Sequence, residues 1–357
     1  MRVQVAIIGG GPSGLLLGQL LHKAGIDAVV LERKTREYVL TRIRAGVLER
    51  GMVNLLEQAG AAERLHAESF THDGTVISVN NEYFNIPFHK YVNKPVTVYG
   101  QTELTRDLYD AREQCGAPTL FNVEDVVIND LKSDSPSIDC RVAGDSVHID
   151  CDFVAGCDGF HGVSRQHIPT DVRREYEKVY PFGWLGIIAE TQPVHEELIY
   201  TNSERGFALC SMRTERLSRY YVQCDANDRV DNWSDDAFWD ELKKRIPDKF
   251  ADELETGPSI EKSIAPLRSF VCEPMQYGKL FLCGDAAHIV PPTGAKGLNT
   301  AASDVHYLYT ALKQRYQHND NELLNAYSQT ALKRVWKVQR FQLVDRQPCA
   351  PTSPDQM

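Results

Sequence analysis

The chain has 357 residues, 42% of them apolar and 25% charged, and a formal net charge of −10. That length allows two domains with cores of their own, and the acidic balance argues against a general nucleic-acid surface. Nine cysteines without C-x-x-C or C/H metal spacing read as reduced thiols, and the N-terminal apolar run is too short for a membrane span, so the expected setting is the cytoplasm without a metal centre.

Residues 3–8 form a short apolar run that stops at GGGPSG, positions 9–14. A G-x-G-x-x-G directly after a strand, then helical composition over 15–23 and a second apolar run over 28–31, is a βαβ nucleotide-binding unit. Gly9 serves the tight turn, Gly11 lets the backbone approach a pyrophosphate, and Gly14 lets helix and strand pack closely. Glu32 ends the second strand, where a carboxylate accepts hydrogen bonds from a ribose diol.

A basic run follows, with Arg33, Lys34 and Arg36 and then Arg42 and Arg44. It reads either as a solvated loop or, taken together, as positive charge for a phosphate just beyond the ribose acid. Residues 48–58 read as a helix, 96–99 as a strand, and 102–114 as a helix with Thr102 as N-cap. Between 119 and 153 short alternating runs broken by Asp, Ser, Pro and Gly predict a β-meander covering one face. The next strand ends at Asp158-Gly159, and its loop carries His161 and Arg165; Asp-Gly alone is a common turn.

Residues 180–274 are strand-rich, with one helix near 235–245, and read as a second domain inserted into a first that comprises 1–179 and 275–341. A hairpin is expected from 207–213 and 219–224. With its loop at 214–218, Ser211 opposes Tyr221 and Arg213 opposes Arg219, all four on one face. Such a face is either the solvated side of a sheet or an anion site, where an arginine fork grips a carboxylate and hydroxyls complete the shell. The chain then returns through a strand at 279–283 to GDAAHIVPPTGAKGLN, positions 284–299, and a helix over 301–316. This is a second cradle, suited to a ribityl chain and an electron-poor ring. His288 within it is a base or a structural turn histidine.

Taken together, the segments at 9–14, 158–165 and 284–299 resemble the class A flavoprotein aromatic hydroxylases. The runs RIRAGVLERGMV, YPFGWLG, RGFALCSMR and SIAPLRSF extend the likeness to about residue 341. The resemblance implies an α/β fold, a Rossmann-like FAD-binding domain with an inserted β-sheet-rich substrate domain. It implies FAD contacts from Ser13, Glu32, Arg42, Ile43, Arg44, Ala45, Gly46, Val47, Gln101, Asp158, Asp285, Leu298 and Asn299, with Arg219 positioning the flavin ring. Arg33, Lys34, Tyr38, His161, Arg165 and Arg268 would meet NADPH. Tyr200, Ser211, Met212, Arg213, Tyr221 and Pro292 would hold 4-hydroxybenzoate, and Tyr200, the Pro292 backbone and His72 would take part in catalysis. In such enzymes NADPH reduces FAD, O2 adds at flavin C4a, and the hydroperoxide hydroxylates the phenol at the ortho position, here giving 3,4-dihydroxybenzoate. A homodimer is expected where the C-terminus folds.

Residues 342–357, QLVDRQPCAPTSPDQM, are polar and Pro-rich with no helical period. Family members continue differently there, with a tyrosine that links the residue at Tyr200 to His72. The expectation is slow, largely uncoupled NADPH turnover that yields peroxide. The alternative is an uncoupled flavin-binding NADPH oxidase or a scaffold. A plain NAD dehydrogenase leaves the Gly-Asp cradle unexplained.

Overall fold

The computed structural model describes residues 1–41 and 46–344. Its first layer is a six-stranded sheet in the order Gln276–Tyr277, Leu280–Leu282, Phe153–Gly156, Val5–Ile8, Ala28–Leu31, Thr119–Leu120. All neighbours run parallel except the Gln276–Tyr277 edge. Val5–Ile8 and Ala28–Leu31 are buried at every position, as expected of parallel strands covered on both faces. The helix Pro12–Lys23 packs on this sheet and on the helices Gln101–Gln114 and Lys296–His318. Its Leu15, Leu16, Leu17 and Leu20 are essentially inaccessible. The meander expected after residue 119 is the three-stranded antiparallel sheet Val123–Asn129, Ser137–Val142, Asp145–Asp150.

The second layer is an eight-stranded sheet built around Arg174–Ala189, which pairs with Ser259–Glu273 on one side and Leu217–Asp225 on the other. It continues through Gly206–Thr214 and Leu198–Ser203 to Gly74–Val79 and Glu82–Pro87. This sheet is therefore not confined to residues 180–274, because two of its strands precede that segment by about a hundred residues and its edge strand His288–Ile289, beside Ser259–Glu273, follows it. Alternation divides its faces. Leu185, Ile187, Tyr220 and Val222 pack under the helices Asp235–Lys243 and Asp248–Glu253, with Phe238, Trp239 and Phe250. Trp184, Leu209, Tyr200, Phe207 and Tyr221 form the opposite face.

Several boundaries differ from those read in the sequence. The helix expected from 102 starts at Gln101 with Gly100 as N-cap, so Thr102 is not the cap. The helix expected over 48–58 is Arg50–Ala59, because Val47–Leu48 pairs with Val96–Val98 as a short strand. The helix expected from 301 begins at Lys296. Asn299 fixes that early turn: its Nδ2 donates to the carbonyls of Ala295 (3.0 Å) and Val47 (2.8 Å), and its Oδ1 accepts from the Glu49 amide (2.8 Å). The last helix runs to Val344, so the first residues of the aperiodic tail are helical. Residues 345–357, on which the expectation of uncoupled turnover rests, lie outside the described residues, as do Arg42, Ile43, Arg44 and Ala45. Among the described residues no helix is long and apolar enough to cross a membrane.

Candidate active site

A cavity of about 820 Å³ lies between the two sheets, lined by both glycine-rich loops and by Tyr221 of the second sheet. Its floor follows from the sequence. Gly9 has φ +110, and a Cβ there would sit 2.3 Å from the Cys157 carbonyl oxygen. A Cβ on Gly14 would sit 2.0 Å from the Gly9 carbonyl oxygen, so the helix approaches the turn this closely only because residue 14 is glycine. Gly11 has nothing within 4 Å of its Cβ position and faces open space. Glu32 is buried. Its two carboxylate oxygens accept from the amides of Gly10 and Lys34, each at 2.8 Å. A residue the sequence reading missed, Tyr109, donates its hydroxyl to the Gly10 carbonyl at 2.6 Å; only its place on a covering helix could have suggested it.

Ser13, Gln101, Val47, Asp285 and Leu298 line the cavity, as do Asp158, His161 and Pro292. Gly46 lies behind the wall, its carbonyl accepting from the Tyr99 amide (3.0 Å), and Asn299 is spent on backbone groups of this chain. Asp158 Oδ2 accepts from the Ser164 amide and hydroxyl, both at 2.9 Å, while its buried Oδ1 has no partner. Burial pushes this carboxyl above its ordinary range. An orphaned carboxylate oxygen, an open glycine backbone and a helix N-terminus around one cavity are what a dinucleotide's hydroxyl and phosphate groups require. The volume is likewise within the range of small-molecule sites. The residues fit FAD.

The residues expected to meet NADPH divide into groups. Arg33, Lys34 and Tyr38 are exposed at the cavity rim, with Lys34 Nζ 5.4 Å from the Tyr38 ring centre. His161 and Arg268 gather around Phe160: His161 packs edge-on at 5.0 Å, and the Arg268 guanidinium lies 4.8 Å over the ring. Arg165 is different. It is buried, donates to Glu175 (3.0 Å) and to the carbonyls of Ala286 (3.1 Å) and Phe160 (3.0 Å), and sits between the rings of Phe160 and Phe270. Each of its three nitrogens is already engaged within the chain, and it ties the Asp158 loop to the Gly284 loop.

On the second sheet, Ser211, Arg219 and Tyr221 share one face, but the expected register was wrong by two residues. Ser211 opposes Arg219, and Leu209 opposes Tyr221. The chain turns at Glu215 and Arg216 rather than through a five-residue loop, and the ladder slips between Met212 and Thr214. Because the slip in register is even, the residues keep their face. Arg213 falls within the irregularity, a position that re-aims a side chain. Met212 pairs with Ser218 and alternates to the other face. Trp184 stacks on Phe207 (4.8 Å) and leans on Tyr221 (5.4 Å), with Tyr200 6.3 Å from Phe207, so the polar patch borders an aromatic wall. The sequence reading missed Trp184 and Phe207; strand alternation would have placed Phe207 on the Tyr221 face.

Burial pushes the Arg213 guanidinium down to about 10; Arg219 adds to the shift, and Tyr221 and Glu261 oppose it. Arg213 makes no hydrogen bond or ion pair among the described residues. Arg219 reaches Glu261 at 3.4 Å and lies 5.0 Å over the Tyr221 ring, leaving its buried Nε without a partner. His72 is buried at the end of the strand Phe70–His72, its Nδ1 3.0 Å from Glu197 Oε2. Burial, then His195 and Arg213, lower its pKa. His288 takes the structural reading: it is fully buried, with Nε2 2.6 Å from Asp304.

Two glycine-rich loops facing one cavity, with a strand-rich layer closing it, define an FAD-dependent flavoprotein. The chain belongs to the FAD binding domain family, whose pattern matches residues 2–342. It is 55% identical to the p-hydroxybenzoate hydroxylase of Acinetobacter baylyi over 342 residues, 96% of this chain and 84% of that one. It is 26% identical to the 6-hydroxy-3-succinoylpyridine 3-monooxygenase of Pseudomonas putida, over 88% of this chain and 80% of that one. Among solved structures, p-nitrophenol 4-monooxygenase from Pseudomonas putida superposes with a TM-score of 0.83 at 17% identity, covering 96% of this chain and 88% of that one, a likeness of fold. The chain is a flavoprotein monooxygenase, as its motifs led one to expect.

Proposed function

We propose that this enzyme hydroxylates 4-hydroxybenzoate to 3,4-dihydroxybenzoate, consuming NADPH and O2. The observation that carries this reading is Arg213, a half-buried guanidinium that makes no ion pair among the described residues and stands near Tyr221 of the aromatic wall. A partly desolvated cation without a counter-ion favours an anion, and a benzoate carboxylate would supply it. Ser211 and Tyr221 hydroxyls would complete the carboxylate shell, and the Trp184, Phe207 and Tyr221 rings would flank the substrate ring. The 55% identity to p-hydroxybenzoate hydroxylase supports the same substrate class.

Bound FAD, reduced by a nicotinamide, supplies the oxygen-activating chemistry. Ser13, Glu32, Gln101, Asp285 and Leu298 would hold it along the cavity. Tyr200 would hold the substrate phenol in its ionised form, which makes the ring electron-rich, and the Pro292 carbonyl would orient the same hydroxyl. The aromatic wall excludes water from the reacting face. The test is a titration of flavin absorbance with 4-hydroxybenzoate against phenol, followed by NADPH consumption and product analysis. Tight binding of the acid alone, and acid-stimulated NADPH oxidation with catechol formed, is the expected result. Equal response to phenol would overturn the carboxylate assignment, and peroxide without catechol would overturn the hydroxylase reading.

A further inference from the structure

Asp73 and Gly74 follow His72 directly into the strand Gly74–Val79, whose Ile77 pairs with Tyr200. His72 thus stands at the junction between the strand Phe70–His72, which pairs with Val96–Val98, and the strand that lies beside the one carrying the proposed phenol ligand. Glu197 lies one residue before the strand Leu198–Ser203, on the same junction. Its Oε1 accepts from the Asp73 amide at 2.9 Å, which fixes the carboxylate against the His72 segment. Its Oε2 lies 3.0 Å from His72 Nδ1 but is not aligned for a hydrogen bond, and both Glu197 Oε2 and His72 Nε2 are buried without a hydrogen-bond partner. Two adjacent unmade hydrogen bonds in an interior are costly, so their retention asks for a reason. A ring rotation closes the Nδ1 bond, and such bonds are often misaligned before a site is filled.

We propose that Glu197 is a positioning residue that holds the proton of His72 on Nδ1 and leaves Nε2 bare as a proton acceptor serving the substrate site. The idea rests on the reading of the site given above. In the step it describes, a proton leaves the substrate hydroxyl through the groups around Tyr200 and arrives at Nε2. The phenol becomes phenolate, the imidazole becomes imidazolium, and no electrons change hands. The new charge is met by the Glu197 carboxylate, and the proton leaves to solvent when His72 is released. The other ionisable groups around His72 are Asp73 beside it, His195 on the Glu197 segment and Arg213 on the facing hairpin. His195 and Arg213 disfavour a standing imidazolium, so Glu197 is the carboxylate that lets a transient one form. The accompanying upward push on Glu197 itself comes from burial.

The experiment is ¹⁵N NMR of histidine-labelled full-length holoenzyme, with His72 assigned by His72→Asn, alongside the pH profile of 4-hydroxybenzoate-stimulated NADPH oxidation. The expected result is an Nδ1-protonated, Nε2-bare His72 in the parent and loss of that preference in Glu197→Gln. Stimulated oxidation should fall about tenfold in Glu197→Gln with its pH break displaced, while the Kd for 4-hydroxybenzoate stays within about twofold. Glu197→Asp should recover part of the loss, which also guards against a misfolded variant. An Nε2-protonated ring in the parent, or an unchanged pH break in Glu197→Gln, overturns the proposal. The expected tautomer in a protein that ignores 4-hydroxybenzoate overturns the substrate assignment instead and leaves the pair standing.

Discussion

Two buried histidines each lie beside a carboxylate, His288 on the edge of the eight-stranded sheet and His72 at the end of the short strand Phe70–His72, and the two are pushed in opposite directions. His288 lies against Asp304 at 2.6 Å, and Asp304 Oδ2 also accepts from the Gly284 amide at 2.9 Å. Burial alone would lower this histidine, but Asp304 and then Asp285 outweigh it and hold its pKa above the ordinary value. His72 has a carboxylate at similar distance, yet burial, His195 and Arg213 prevail and its pKa is lowered. The chemistry of the pair is the same and its surroundings decide the charge. At His288 the carboxylate is spent on holding both the imidazole and the Gly284 backbone in place. At His72 the carboxylate is anchored to the Asp73 amide instead, and Arg213 nearby makes no ion pair among the described residues.

The comparison is broken most directly at Asp304. Asp304→Ala strands the buried His288 Nε2 and the Gly284 amide, and should cost about 1–3 kcal/mol for each in denaturant unfolding. Glu197→Ala should cost clearly less, because its Oε2 makes no hydrogen bond. Equal losses would erase the distinction between a structural pair and a poised one.

Two arginines sharpen the same contrast. Arg213→Ala should weaken 4-hydroxybenzoate binding by about 2–5 kcal/mol, the range for removing one member of a buried charge pair. Arg165→Ala should leave that affinity nearly intact and lower stability by about 1–3 kcal/mol, since it strands the carbonyls of Ala286 and Phe160. A flavin-absorbance titration and a denaturant melt of both variants separate the roles. Undiminished binding in Arg213→Ala would remove the anion anchor from the scheme.

How far the sequence carried depends on whether a feature is local. The βαβ unit was legible because glycine spacing, strand and helix lie within some thirty residues and each constrains the next. The shared face of Ser211, Arg219 and Tyr221 was legible because alternation survives an even slip in register; the register itself was not, since it turned on a bulge at Arg213 that no residue type announces. The strands Gly74–Val79 and Glu82–Pro87 form a local hairpin, but their place in the large sheet went unread because Leu198–Ser203, the partner of the first, lies more than a hundred residues on. Glu197 escaped for the same reason. Arg165 was expected to meet NADPH from the resemblance, and the carbonyls that hold it could not be seen in the sequence.

A pH series tests the opposition without breaking either pair. His72 is lowered, so below about pH 6.5 the unfolded chain binds the proton the folded state refuses, and stability should fall as pH drops through that value. His288 is raised, so its contribution is full below that value and should be lost as pH rises through its folded pKa. Subtracting the unfolding profile of His72→Asn from the parent should remove slope on the acid side, and His288→Asn should remove it on the alkaline side. Slopes of the same sign from both variants would show that the two surroundings are not opposed.

The smallest effect is expected at the cavity rim, where Arg33 and Lys34 are exposed and form no ion pair among the described residues. They stand just past Glu32 at the cavity rim, and on the proposed reading their charge would meet the 2′-phosphate of NADPH. Exposed charges contribute little, up to about 1 kcal/mol for such a pair, so replacing both by Ser should raise the KM for NADPH by roughly fivefold. NADH should respond far less, and FAD content should not change, since Glu32 is held by backbone amides that the substitutions leave in place. The difference should shrink as salt is raised, because solvent-exposed charges are screened beyond roughly 8–10 Å at physiological ionic strength. A ratio of NADPH to NADH efficiency that ignores both the substitutions and the salt would move nicotinamide selection away from this rim, towards His161 and Arg268 around Phe160.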